Sequence, residues 1–257
     1  MKLGLGIAAG PDPGMLGPLG ADAEALGYAS IWSHDNPAGD GLLQLSLWAR
    51  GSKDIDLGVG VLALDRHQPA DIAARVAELD LPRERLLLGI GAGLQSRPLQ
   101  AVRAGVVELH RLLPGVRLVV AAMGPKMCEL AGELADAVLL NWMTPERIAW
   151  AMPIVRQGAA TAGKSGIQVD AHIRVAVGAH AEEILAREAG FYAQLPAYAR
   201  NFEAIGMDPG SIGITVAEPT DLPSRLAAYS ALDLAVMRPL TERSREAILE
   251  VARAAVG

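Results

Sequence analysis

Cysteine is all but missing. Cys128 stands alone in 257 residues, so no internal disulfide can form, and a reducing cytoplasm is the expected compartment. Basic excess is missing too: 23 Lys and Arg against 29 Asp and Glu give a net charge of −6. Nucleic acids and anionic membrane surfaces select basic faces, so neither is expected as a partner. No uncharged run reaches the roughly 18 apolar residues of a bilayer span. The opening Met1-Lys2-Leu3-Gly4-Leu5-Gly6-Ile7 is stopped by Gly10-Pro11, and reads as a first strand in place of a signal peptide. His, Cys, Asp and Glu show no metal-ligand spacing, so no metal is expected. No GxSxG elbow points to a serine hydrolase.

What is present is alternation. Hydrophobic residues make up 51% of the chain, enough for a large core. Short apolar runs occupy 3–7, 30–33, 56–61, 86–90, 118–122, 137–141, 169–177 and 233–237. Several are apolar throughout, as strands buried on both faces are. Between them the period changes: Met127, Leu130, Ala131 and Leu134, and again Ile248, Val251, Ala252 and Ala255, mark helices with one buried stripe. Eight strand–helix units predict an α/β fold, a single (β/α)8 TIM barrel, with residues 1–257 as one domain. The stretch 181–223 is too long for one helix, so extra helices are expected after strand seven. Tyr192, Tyr198 and Phe202 lie there, as a cap or as a homodimer contact. The loops after strands two and four are short.

In such barrels the chemistry sits where strands end. Strand two ends in Ser33-His34-Asp35-Asn36, and strand three in Asp65-Arg66-His67. Strand four ends in Gly89-Ile90-Gly91-Ala92-Gly93, which lacks the GxGxxG spacing and the acidic residue of a dinucleotide fold. Strand five leads into Gly124-Pro125-Lys126-Met127, and strand six into Asn141-Trp142-Met143-Thr144-Pro145. Gly124-Pro125-Lys126 opens a helix, where free amides and the dipole favour an anion. Proline costs nothing in that first turn. A plain strand-to-helix turn has the same composition. His34 and His67 close adjacent strands and are candidates to share one pocket; histidine moves protons near neutrality, but also serves as a hydrogen-bonded structural residue. Asp35 reads as a base, as the partner that orients a histidine, or as a cap. His172 and Arg174 lie within strand seven; Arg174 faces the pocket if that strand starts late and pairs across the barrel if it is regular, and pairing outside the barrel is the favoured reading. Arg238, ending strand eight, is open between pairing and meeting an anionic group. Cys128, inside a helix, reads as packing.

Together these segments resemble the luciferase-like monooxygenase superfamily, most closely its coenzyme F420-dependent branch, which includes methylenetetrahydromethanopterin reductase. The densest match runs from Leu86 to Pro145: the GIGAG turn, a helix, then AAMGPKMCELAGELADAVLLNWMTPE. Gly60-Val61, Arg66-His67 and Pro69 match the strand-three region. The resemblance implies an oxidoreductase that passes hydride between a deazaflavin and a small organic substrate, acting on CH–NH or CH–OH donors. Alternatives are an FMN-dependent monooxygenase and a degenerate barrel that binds flavin or metabolite without turnover. It further implies that Gly124, Pro125, Lys126, Asn141 and Thr144 hold the cofactor phosphate. Gly60, Val61, Gly91, Ala92 and Gly93 frame the ring, with a bulge and a cis peptide at Gly60-Val61, and His34, Asp35 and His67 face substrate. Two departures stand out: Leu94 occupies a place where the family often has an acid, and Leu79–Arg85 replaces a glycine-containing turn. Proton transfer is therefore expected to use another residue or water.

Overall fold

The computed structural model describes residues 1–257. Its strands are β1 (Lys2–Ala8), β2 (Ser30–His34), β3 (Asp56–Ala63), β4 (Leu86–Gly91), β5 (Arg117–Ala122), β6 (Ala137–Asn141), β7 (Gln168–Val177), β8 (Ile214–Val216) and β9 (Leu234–Pro239). The helices are α1 (Leu19–Ala25), α2 (Gly41–Gly51), α3 (Pro69–Glu78), α4 (Pro98–Leu112), α5 (Pro125–Leu134), α6 (Pro145–Thr161), α7 (Ala181–Ala193), α8 (Pro196–Ile205), α9 (Leu222–Leu226) and α10 (Arg245–Val256). All strand pairings are parallel. The order β1 to β7 closes through β9 back onto β1, giving an eight-stranded barrel wrapped by helices. No helix is long and apolar enough to cross a membrane.

The expected eight strands are present, and the extra segment after β7 is richer than expected. Besides α7 and α8 it carries β8, which pairs with the upper part of β7 (Val175↔Ile214 to Val177↔Val216). Three residues, Ile214-Thr215-Val216, give too short a run to stand out from a helical stretch in sequence. It splits the crossover from β7 to β9 into two legs and brings α7 and α8 over the barrel mouth.

Strand alternation divides the core in two. One set of side chains packs outward under the helices, among them Leu5, Ile31, Leu57, Leu88, Val120 and Leu140. The other fills the barrel: Trp32, Leu87, Val119, Leu139, Leu234 and Val236. Trp32 is too large for eight substituted strands, and fits because Gly58 lies flat against its indole, which a Cβ at that position would overlap. Its Nε1 donates to Ser30 Oγ at 2.8 Å, so the buried indole dipole is satisfied.

In register with Leu139 and Leu234 of this set, Asp170 lies fully buried on β7. Burial raises its carboxyl pKa to about 8, and Asp233 adds to the rise while the Gln168 amide opposes it. The fold therefore keeps a proton that the unfolded chain releases near pH 4. Stability from this group is complete below about pH 4 and is lost as pH rises towards the folded value. Asp170→Asn is expected to raise Tm, with a gain that grows between about pH 5 and pH 8. Thermal melts at both values check this; a gain that shrinks with pH contradicts it.

Candidate active site

Two glycines and two histidines make the next layer up. Gly6 and Gly60 lack side chains where the imidazoles lie: a Cβ on Gly6 would fall 2.9 Å from His34 Nε2, and one on Gly60 would fall 2.6 Å from His172 Nε2. The rings of His34 and His172 meet edge to face, 4.2 Å between centroids. His34 Nε2 and both His172 ring nitrogens are buried and make no hydrogen bond within the chain. Burial holds the pKa of both histidines well below 6.5; for His34 the neighbouring His172, Arg238 and Arg174 lower it further, and for His172 Arg174 and Arg238 do. Both imidazoles are therefore neutral at pH 7.

The Gly60–Val61 peptide is cis, and the register between β3 and β4 slips between Val59 and Leu62. This is the bulge and cis bond that the sequence resemblance implied. Val61 turns its side chain onto β4, where Gly89 and Gly91 leave room; a Cβ on Gly91 would lie 2.9 Å from Val61 Cγ2. At the β4 exit Gly93 has φ +61. The Asp65 carboxylate lies against it, in space that a side chain at Gly93 would need. Leu94 points into solvent, 81% exposed. The only acid packed on this turn thus comes from the loop after β3.

His34 and His67 do not sit together as adjacent strand ends had led us to expect. His34 turns inward, while His67 stays at the rim with its Nε2 2.9 Å from Asp35 Oδ2. Asp35 also accepts from Arg66 Nη2 at 2.8 Å and from the Gly41 amide at 3.0 Å. Its almost fully covered carboxylate both orients His67 and anchors the start of α2. With every near neighbour a donor, Asp35 serves as a structural clamp.

Gly124 opens α5 without a side-chain cap bond, and nothing lies within 4 Å of where its Cβ would be. The first-turn amides are free to meet an anion. Lys126 lines an outer groove of about 550 Å3 with Arg103, Glu129 and Glu133, so its charge leans away from the barrel axis. Thr144 caps α6 by accepting from the Arg147 amide at 3.2 Å. Asn141 turns inward, where its Oδ1 accepts from Arg174 and its Nδ2 lies 3.4 Å from Tyr198 Oη. Of the five residues expected around a phosphate, Asn141 and Thr144 are committed elsewhere, and what the Gly124-Pro125-Lys126 turn offers is its backbone amides, since the Gly124 carbonyl already accepts from Cys128 at 3.0 Å.

Of the readings open for Arg174 in sequence, the favoured one, pairing outside the barrel, is corrected by the structure. Arg174 is inside, 3% exposed, its guanidinium 4.0 Å above the Trp142 ring and 5.1 Å from that of Tyr192. Burial lowers its pKa to about 10, so it remains charged at neutral pH. Trp142 adopts φ +51, and its carbonyl accepts from Asn201 Nδ2 at 3.0 Å. Trp142, Leu185, Ala189, Phe202 and Ile212 form a separate apolar cluster joined by Tyr192 and Tyr198. The aromatics after β7 are therefore a cap on the barrel mouth. The signal that could have found Arg174 and His172 was the period of two: Asp170, His172, Arg174 and Ala176 share the inward face of β7.

Known proteins share this sequence pattern and fold. The family model for luciferase-like monooxygenase matches residues 4–112 and 95–209. Among curated relatives, 5,10-methylenetetrahydromethanopterin reductase of Methanolobus tindarius is 27% identical over 183 residues, 58% of this chain and 56% of that protein. The enzyme of the same name from Archaeoglobus fulgidus is 28% identical over 178 residues, 56% of this chain and 54% of that one. The matched region thus spans about half the length of these relatives. Among solved structures, an F420-dependent secondary alcohol dehydrogenase in complex with an F420–acetone adduct superposes with a TM-score of 0.79 at 16% identity, covering 99% of this chain and 98% of that one. The coenzyme F420-dependent tetrahydromethanopterin reductase of Methanopyrus kandleri gives 0.77 at 18%, covering 99% and 97%. With its family model matched over most of its length and a closed barrel that superposes end to end, this chain belongs to the luciferase-like monooxygenase family.

Proposed function

We propose that this protein is a coenzyme F420-dependent oxidoreductase, passing hydride between the deazaflavin and a small organic substrate bound at the mouth of the barrel. The observation that carries this reading is the layer where the Gly60-Val61 bulge, the His34–His172 pair and the glycines of β4 meet. The names of two structural relatives, a dehydrogenase and a reductase dependent on F420, favour the deazaflavin over FMN.

The residues fit such a group. Gly124 leaves open space over the α5 amides for a phosphate, and Val61, packed on Gly89 and Gly91 at the β3 bulge, would back a ring placed at the β4 exit beside Ala92 and Gly93. When bound, the deazaflavin supplies a carbon that gives or takes hydride; the chain supplies placement and proton handling. A neutral His34 can hydrogen-bond a substrate oxygen and accept a proton from it. The Asp35–His67–Arg66 clamp fixes the loop beside it. The aromatic cap excludes water from the reacting atoms, which strengthens each polar contact inside.

Fluorescence titration of the purified protein with F420 tests the reading: saturable binding is expected, with a smaller effect from FMN. Absence of F420 binding rejects it. Binding without turnover across alcohol and imine substrates leaves the non-catalytic binder standing instead.

A further inference from the structure

Beside the histidine layer lies a cavity of about 680 Å3 between the ends of β1, β7 and β9 and the flank of α7. Its walls are apolar at Ile7, Phe191 and Ile248, and its charged side chains include Arg238, Arg243, Glu188 and Glu242. The charges do not balance. Arg238 pairs with Glu188, while Glu242 accepts from Ser244 Oγ at 3.0 Å. Arg243 packs its guanidinium on the backbone of Gly10, where a Cβ would collide with it. All three of its side-chain nitrogens are buried and make no hydrogen bond within the chain. Arg174, in register with Arg238 on the neighbouring strand, is buried on the Trp142 and Tyr192 rings with Asn141 as its one hydrogen-bond partner, Nε unpaired and no carboxylate in ionic contact. Arg187, Arg238 and Arg243 thus line the cavity against the carboxylates of Glu188 and Glu242, with Arg174 beside Arg238 in the barrel, in a chain whose net charge is −6.

Enclosed cations without a counter-charge are costly, and the cost is relieved when an anion enters. A guanidinium presents a planar fork of donors suited to carboxylate or phosphate. We propose that this cavity binds the substrate and that the substrate carries an oxyanion, a carboxylate or phosphate, received by Arg238 with Arg174 and Arg243 behind it. This deepens the function proposed above and rests on it for the word substrate; the anion site itself stands on the arginines. Glu188 is the internal competitor: it holds Arg238 until the incoming anion takes its place. An anion set here also offsets the positive charge that disfavours protonation of His34.

Calorimetric titration of the cofactor-free protein with succinate, and separately with inorganic phosphate, tests the site without reference to F420. Binding of at least one is expected, and the tighter of the two identifies the oxyanion. Arg238→Gln is expected to weaken it at least about tenfold, as loss of a charge-assisted contact does, with Arg238→Lys between the two. Glu188→Gln is expected to tighten it at least about threefold, because a competing carboxylate is removed; a merely structural pair would show no gain. No heat with either anion, or equal affinities in all variants, overturns the proposal. Repeating the titration on protein saturated with F420 separates the sources: retained binding assigns the site to substrate. Competition gives it to the cofactor's own anionic groups and overturns the substrate assignment.

Discussion

His34→Gln is expected to lower kcat by at least about a hundredfold, the usual share of a positioned proton-transfer group, while F420 binding stays close to wild type. The side chain sits inside the barrel mouth, held neutral by burial and by the charges of Arg238 and Arg174. Glutamine preserves much of its volume and can still donate a hydrogen bond, but it cannot take a proton. The packing against His172 and Gly6 is thereby kept, and the loss is read on kcat with KM as the control. Because the imidazole is already deprotonated, its contribution to the wild-type kcat stays level as pH falls through 6.5. A variant that retains kcat within a few fold removes His34 from the chemistry and leaves it a space-filling residue beneath the site.

Gly132→Leu is expected to cost about 3 kcal/mol of stability or more, at or above the usual range for overpacking. Gly132 on α5 meets the Val155 carbonyl of α6, and Gly158 on α6 meets the Glu129 carbonyl of α5; in each case a Cβ would overlap backbone atoms. The two helices touch backbone to backbone through this reciprocal glycine pair, so no flexible side chain can yield. A leucine must push α5 away from α6. Since α5 carries the Gly124 turn at its head, F420 affinity should fall together with the urea midpoint. Urea titration checks the first effect and fluorescence titration the second. A loss under about 1 kcal/mol would mean that the helices can separate cheaply.

Much of this molecule is written along the chain. The apolar runs at 86–90 and 137–141 became β4 (Leu86–Gly91) and β6 (Ala137–Asn141), because strands covered on both faces need no polar side. The Gly-Pro at 124–125 opens α5, because a proline without a donor suits only the first helical turn. Cys128 reads as packing and is buried, its thiol pushed up to about 12 chiefly by that burial, too high for a reactive thiolate. The Gly60–Val61 bulge came from likeness to a family, since neither residue announces a cis bond by itself.

The site was less legible, for a geometric reason. Local pattern gives which residues share a face of one strand, but not which faces of eight strands converge. His34 and His67 end adjacent strands, yet one turns in to His172 and the other out to Asp35. Arg174 looked like a surface charge because a buried cation is rare, and only closure of the barrel over Trp142 and Tyr192 makes room for it. Likewise β8 is too short to be seen until β7 offers it an edge. The sequence alone determined the barrel and its helices, since periodicity and turn chemistry are properties of neighbouring residues. Tertiary structure decided the interior: which side chains meet across the axis, how much water they lose, and hence that the mouth of an acidic chain is lined by arginine.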